Sequence, residues 1–139
     1  MQKNIYKGLY REDAAITIYN GIPLQQLDAF QEQHNRDEVR ASLGYTKDDF
    51  LVLHLGTVCN RKGQVFTARA VANLVKDRGC TNVKCLMVGA RYIRDHEMKY
   101  IEEIKQTVLG SGMTYVRWED TAECDRGKAR VTVMDIQSG

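Results

Sequence analysis

This sequence has very little proline and only a small net charge. Pro23 is the only proline among the 139 residues, and the formal net charge is +2. Nucleic-acid-binding domains gather basic residues on one face, and this sequence has no run of like charges that would form such a face. We therefore expect no nucleic acid among the partners of this chain.

Long apolar runs are missing as well. No stretch approaches the roughly 18 to 20 apolar residues of a membrane-spanning helix. The first residues, Met1 to Asn4, are not followed by the apolar core of a signal peptide. The expectation is a cytoplasmic chain without a transmembrane segment.

The sequence also lacks the paired cysteines of a metal site. Its four cysteines, at positions 59, 80, 85 and 124, form no C-x-x-C pair, and no histidine lies at ligand spacing from them. We expect no metal site and reduced thiols, as in cytoplasmic proteins. Cys85 lies inside an apolar run, which predicts a small buried side chain.

Two standard nucleotide-binding motifs, G-x-G-x-x-G and G-x-x-x-x-G-K-[ST], do not occur in the stretch that carries the strongest signal. That stretch has an apolar run from Leu51 to Leu55, then Gly56, a basic loop, and Gly63 followed by helical spacing. A strand, a basic loop and a helix offer an anion the free N–H groups and the positive dipole end of a helix N-terminus. We interpret Gly56, Thr57, Arg61, Lys62 and Gly63 as a binding site for the diphosphate of a nucleotide-activated substrate. The same order of elements without a ligand is common in α/β proteins.

Three apolar runs alternate with helical patterns along the second half of the chain. They predict strands over Leu51–Leu55, Val83–Val88 and Met113–Trp118, with helices from Gly63 to Gly79 and from Asp95, as its cap, to Leu109. Continuous apolar strands joined by helices predict an α/β fold, with a Rossmann-like parallel sheet and helices on both faces. Ligands of such sheets bind at the carboxyl ends of the strands. Gly89 and Arg91, after the second strand, therefore belong to the same edge as Gly56.

The remaining segments give weaker patterns. Met1–Asp13 is interpreted as helical or frayed, Ala15–Tyr19 as a short strand, and Leu24–His34 as an ill-defined surface segment. Asn35, with Glu38 three residues later, predicts a helix from Arg36 to Leu43. We divide the chain into an entry segment, 1–34, and one domain, 35–139.

The central stretch resembles a known family. Gly56, Lys62-Gly63 and the helix start Gln64-Val65-Phe66 are similar to the C-terminal-domain motif of the GT-B glycosyltransferases of family 4. Ile16–Ile22 resembles the segment by which the chain of those enzymes enters that domain, and Val83–Gly89 resembles their second strand.

The resemblance implies the donor-binding half of a retaining hexosyltransferase that uses a UDP- or GDP-sugar as substrate and no separate cofactor. Lys62 would then neutralise the leaving diphosphate, and Val116 and Arg117 would border the nucleotide base. The catalytic residues stay unknown. Neither His54 nor His96 is assigned a role as general base.

The sequence departs from this family in three places. Thr57 stands where the family often has an arginine. The acceptor-binding N-terminal domain is missing. In the family's E-x7-E segment, which Arg130–Thr132 resembles at its middle, the two glutamate positions hold Arg126 and Met134.

Two interpretations of the tail stay open. A piece of the sequence was lost, or Val131–Ile136 is an edge strand that closes a shorter sheet. The alternative function is a non-catalytic α/β module that binds nucleotide diphosphates or another protein.

Overall fold

The computed structural model describes residues 21–135, and the chain divides into two compact units between Gln33 and His34. In the first unit the described structure is helix α1, Leu24–Gln33, which has no buried residue. The prediction of an ill-defined segment here was wrong. Glutamine, leucine and alanine favour the helix, and the carbonyl of Pro23 accepts the first hydrogen bonds, from the N–H groups of Gln26 and Leu27. The predictions for Met1–Asp13 and Ala15–Tyr19 lie outside the described residues.

The second unit alternates helices and strands. Its elements are α2 (Arg36–Ser42), β1 (Phe50–Leu55), α3 (Gln64–Lys76), β2 (Val83–Ala90), α4 (Asp95–Gly110), β3 (Tyr115–Arg117), α5 (Glu123–Arg126) and β4 (Val131–Asp135). A short 3-10 turn, Asn60–Lys62, precedes α3. None of the helices within residues 21–135 has the length and apolar character needed to cross a membrane.

The four strands form one sheet in the order β1-β2-β4-β3, and all three neighbouring pairs are parallel. This confirms the predicted parallel α/β fold. The interpretation of Val131–Ile136 as a strand is confirmed by β4, but its place at an edge was wrong, because β4 lies between β2 and β3. An edge strand would expose a polar residue such as Thr132, yet Thr132 is fully buried, as are its neighbours Val131 and Val133. Its hydroxyl donates to the carbonyl of Arg126 at 3.1 Å, so burial leaves it satisfied.

Helices cover both faces of the sheet, but unequally. On one face, α3 and α4 pack over a large core of β2 and β4 side chains, among them Met87, Val131 and Val133. The connections from β1 to β2 and from β2 to β3 run in one direction across the sheet, and the connection from β3 to β4 runs in the other. Because each connection is right-handed, this reversal places α5 on the opposite face. That face has a small cluster of Tyr45, Leu86 and Trp118.

Most of the predicted element boundaries agree with the structure to within two residues. Asn35 caps α2 by accepting the N–H groups of Asp37 and Glu38 at 2.8 and 3.4 Å. The predicted cap of α4 was wrong by one residue, since Arg94 occupies the cap position and contributes no side-chain bond. Strand β3 is also shorter than predicted, because only Tyr115–Arg117 pairs with β4.

Candidate functional site at the carboxyl edge of the sheet

The ends of β1 and β2 approach each other closely at the carboxyl edge of the sheet. The Gly56 N–H donates to the Val88 carbonyl at 2.9 Å, and the Val58 N–H donates to the Gly89 carbonyl at 3.0 Å. A Cβ atom on Gly89 would lie 2.2 Å from the Gly56 oxygen. Glycine at position 89 therefore permits this contact, and the structure brings these two predicted residues together.

The 3-10 turn after β1 carries the two predicted cations. Arg61 and Lys62 are both exposed. Gly63 follows with φ 75°, a left-handed conformation that suits glycine, and begins α3. Within residues 21–135 neither Arg61 nor Lys62 forms an ion pair or a side-chain hydrogen bond, so both charges face solvent. Arg91, after β2, is also exposed.

The backbone donors at the start of α3 are largely in use. The N–H groups of Lys62 and Gly63 donate to the carbonyls of Cys59 and Asn60. The Val65 N–H donates to the buried Tyr100 hydroxyl at 3.3 Å. The Gln64 N–H is the one amide of this start without an acceptor among the described residues. The helix start thus offers an anion fewer free N–H groups than the sequence suggested, and the cationic side chains carry more of the attraction.

Gln64 is a site residue that the sequence interpretation missed. Its side chain is fully buried, its amide donates to the Thr57 carbonyl at 3.1 Å, and no donor reaches its Oε1 within the described structure. Gln64 therefore fixes the loop that carries Thr57. A glutamine at an apolar position of the α3 pattern was the available signal.

Val116 and Arg117 lie far from the Gly56 loop. Two strands, β2 and β4, lie between β1 and β3. Neighbouring strands are about 4.8 Å apart, so the three spacings from β1 to β3 add up to about 14 Å. The Arg117 guanidinium stacks over the Tyr92 ring at 3.9 Å and lies 3.6 Å from Glu119 and 3.5 Å from Asp120. Arg117 is thus engaged in a local network, and the structure does not bring it to the Gly56 loop.

The contacts of His54 and the burial of Cys85 indicate structural roles for both residues. The Nδ1 atom of His54 lies 2.8 Å from the Thr67 hydroxyl, which ties β1 to α3. Burial raises the pKa of the Cys85 thiol to about 12, so this thiol stays protonated at neutral pH. Cys59, Cys80 and Cys85 are free thiols. Within the part of the chain that the structure describes, no three histidine, cysteine or acidic side chains are placed to hold a metal ion.

No protein-family model matches the chain, and a search of curated proteins finds no similar sequence. The family assignment therefore rests on the sequence resemblance alone.

Proposed function

We propose that this chain binds a nucleotide diphosphate, as part of a UDP- or GDP-sugar, at the carboxyl edge of its sheet. The observation that carries the proposal is the pair of exposed, unpaired cations, Arg61 and Lys62, on a turn that follows the close contact of Gly56 and Gly89. A diphosphate carries concentrated negative charge, which two adjacent cations attract. The Thr57 hydroxyl is a further donor beside them.

In this proposal the chain is the donor-binding domain of a retaining glycosyltransferase of the GT-B type. Lys62 would stabilise the negative charge that develops on the diphosphate as the sugar leaves. The resemblance implies that the acceptor would be bound by a second domain. A cytoplasmic location is part of the same proposal, since nucleotide sugars and free thiols fit that compartment.

A second candidate is a non-catalytic module that binds nucleotide diphosphates or another protein. This candidate is favoured by the contacts of Arg126 and Met134, which stand at the two glutamate positions of the resembled family. The Arg126 guanidinium stacks on the Trp118 ring at 4.4 Å, and its Nε donates to the Trp118 carbonyl at 3.3 Å. Met134 packs against the cluster that contains Trp118. Both positions therefore stabilise the second face of the sheet and carry no carboxylate toward a sugar.

Lys62→Ala is expected to weaken the binding of UDP and GDP tenfold or more, because one charge-assisted contact contributes about 1.5 to 3 kcal/mol. Isothermal titration calorimetry at low salt measures the change. Lys76→Ala, an exposed lysine at the opposite end of α3, is the matched control and should leave the affinity unchanged. Equal affinity in the wild type and Lys62→Ala would exclude this site.

The chain by itself is expected to transfer no sugar. Positioning two reactants in line can account for about 7 to 11 kcal/mol of a barrier. The two positions that hold the donor sugar and ribose through glutamates in the resembled family hold Arg126 and Met134 here. The assay incubates the purified chain with radiolabelled UDP- and GDP-hexoses and with sugar or lipid acceptors. Labelled product above a no-protein control, abolished by Lys62→Ala, would show that the chain is a complete transferase.

A further inference from the structure

A cleft opens between the 3-10 turn and the first two turns of α4, and no role above uses it. Its volume is about 310 Å³, at the lower end of the range for small-molecule sites. It is lined by Cys59, Asn60, His96, Lys99, Tyr100 and Glu103. Four of these residues belong to one face of α4, because they are spaced three or four apart along the helix.

The cleft contains one cation and one anion that do not neutralise each other. Lys99 and Glu103 are four residues apart on α4, and within the described structure neither forms an ion pair. Their order explains this, since lysine N-terminal to glutamate at this spacing is the less favourable orientation for a helix pair. The two residues lie about 6 Å apart along the helix axis, so a small molecule in the cleft can contact both side chains.

The floor and wall of the cleft add hydrogen-bonding groups. Tyr100 is buried, and its hydroxyl accepts the Val65 N–H, which leaves the hydroxyl proton for a ligand. The Asn60 side chain supplies an amide donor and a carbonyl acceptor on the opposite wall. A ligand here would meet opposite charges at two points and neutral polar groups between them.

From this arrangement we propose that the cleft binds a small zwitterion of the α-amino acid type. The ligand's carboxylate contacts Lys99, its ammonium contacts Glu103, and its backbone contacts Asn60 and Tyr100. A simple anion would be repelled by Glu103 and a simple cation by Lys99. A molecule with both charges is attracted at both ends. The cleft adjoins the nucleotide site, since Cys59 and Asn60 precede Arg61 on the chain, but none of its lining residues is among those assigned to the diphosphate.

Saturation-transfer difference NMR on the full chain tests the proposal, with the common α-amino acids at millimolar concentration as probes. At least one amino acid is expected to bind. Lys99→Gln and Glu103→Gln are each expected to weaken that binding about tenfold, the effect of one lost charge-assisted contact. Lys76→Gln, at the C-terminal end of α3 and outside the cleft, should leave it unchanged.

Analogues with one charge removed complete the test. The amide of the bound amino acid lacks the carboxylate and the N-acetyl derivative lacks the ammonium, so both are expected to bind at least tenfold more weakly. The proposal is overturned if no amino acid binds, if both glutamine variants bind as well as the wild type, or if acetate or methylammonium alone binds equally well. Circular dichroism of each variant confirms that a loss of binding is not a loss of fold.

Discussion

Gly127→Ala is expected to destabilise the fold by about 3 kcal/mol or more, at the upper end of the range for overpacking. A Cβ atom at this position would lie 1.4 Å from the Gly44 oxygen and 2.2 Å from the Gly44 carbonyl carbon. These are backbone atoms, so no side-chain rotation can relieve the overlap. The turn that carries Tyr45, or helix α5, would have to move, and the cluster on the second face would open. Urea denaturation followed by circular dichroism measures the loss.

Gly110→Ala is the matched control for this substitution. Gly110 is the last residue of α4, and a Cβ there meets no atom within 4 Å. Alanine in a helix reduces the conformational freedom of the unfolded chain, so this variant should gain about 0.5 kcal/mol. If Gly127→Ala is as stable as Gly110→Ala, the close packing of α5 against the Gly44 turn is contradicted.

Gly89→Ala is the second substitution with a large expected effect, and it bears on the candidate site. Gly89 has φ 126°, and a Cβ would lie 2.2 Å from the Gly56 oxygen and 2.6 Å from the Gly56 carbonyl carbon. Backbone strain of this kind costs about 1 to 3 kcal/mol, and the overlap adds to it. We expect a loss of about 3 kcal/mol together with a displaced Gly56 loop. Urea denaturation gives the loss of stability, and a titration with UDP gives the effect on binding.

Gly56→Ala separates strain from overlap at the same contact. Gly56 has φ 147°, yet a Cβ there has no atom within 4 Å. Its loss of stability should stay within the 1 to 3 kcal/mol of strain alone, smaller than that of Gly89→Ala. A larger loss for Gly56→Ala than for Gly89→Ala would contradict the described approach of the two backbones.

The parallel sheet could be predicted because its signals are local. Continuous apolar runs at Leu51–Leu55 and Val83–Val88 specify buried strands, and the helical spacing between them specifies a crossover connection. The position of β4 could not be predicted in this way. Strand order depends on which side chains pack across the sheet, and a threonine such as Thr132 gives the same sequence signal whether solvent or a backbone carbonyl satisfies its hydroxyl.

The candidate site was predictable in part for the same reason. The glycines and cations of the loop follow from the sequence, and their position at the carboxyl edge follows from the parallel fold. The hydrogen-bond partners of the amides do not follow from the sequence. The Tyr100 hydroxyl, which accepts the Val65 N–H, belongs to α4 and lies 35 residues further along the chain. The sequence also does not show that β4 lies between β2 and the strand that carries Val116 and Arg117.

The central claim, that a nucleotide diphosphate binds at the Gly56–Gly63 loop, is tested most directly by locating the ligand. A ¹⁵N–¹H correlation spectrum recorded during a titration with UDP, and separately with GDP, reports each backbone amide. We expect concentration-dependent shifts at residues 56–64 and at Gly89 and Arg91. Shifts confined to other parts of the chain, or none at millimolar nucleotide, would contradict it.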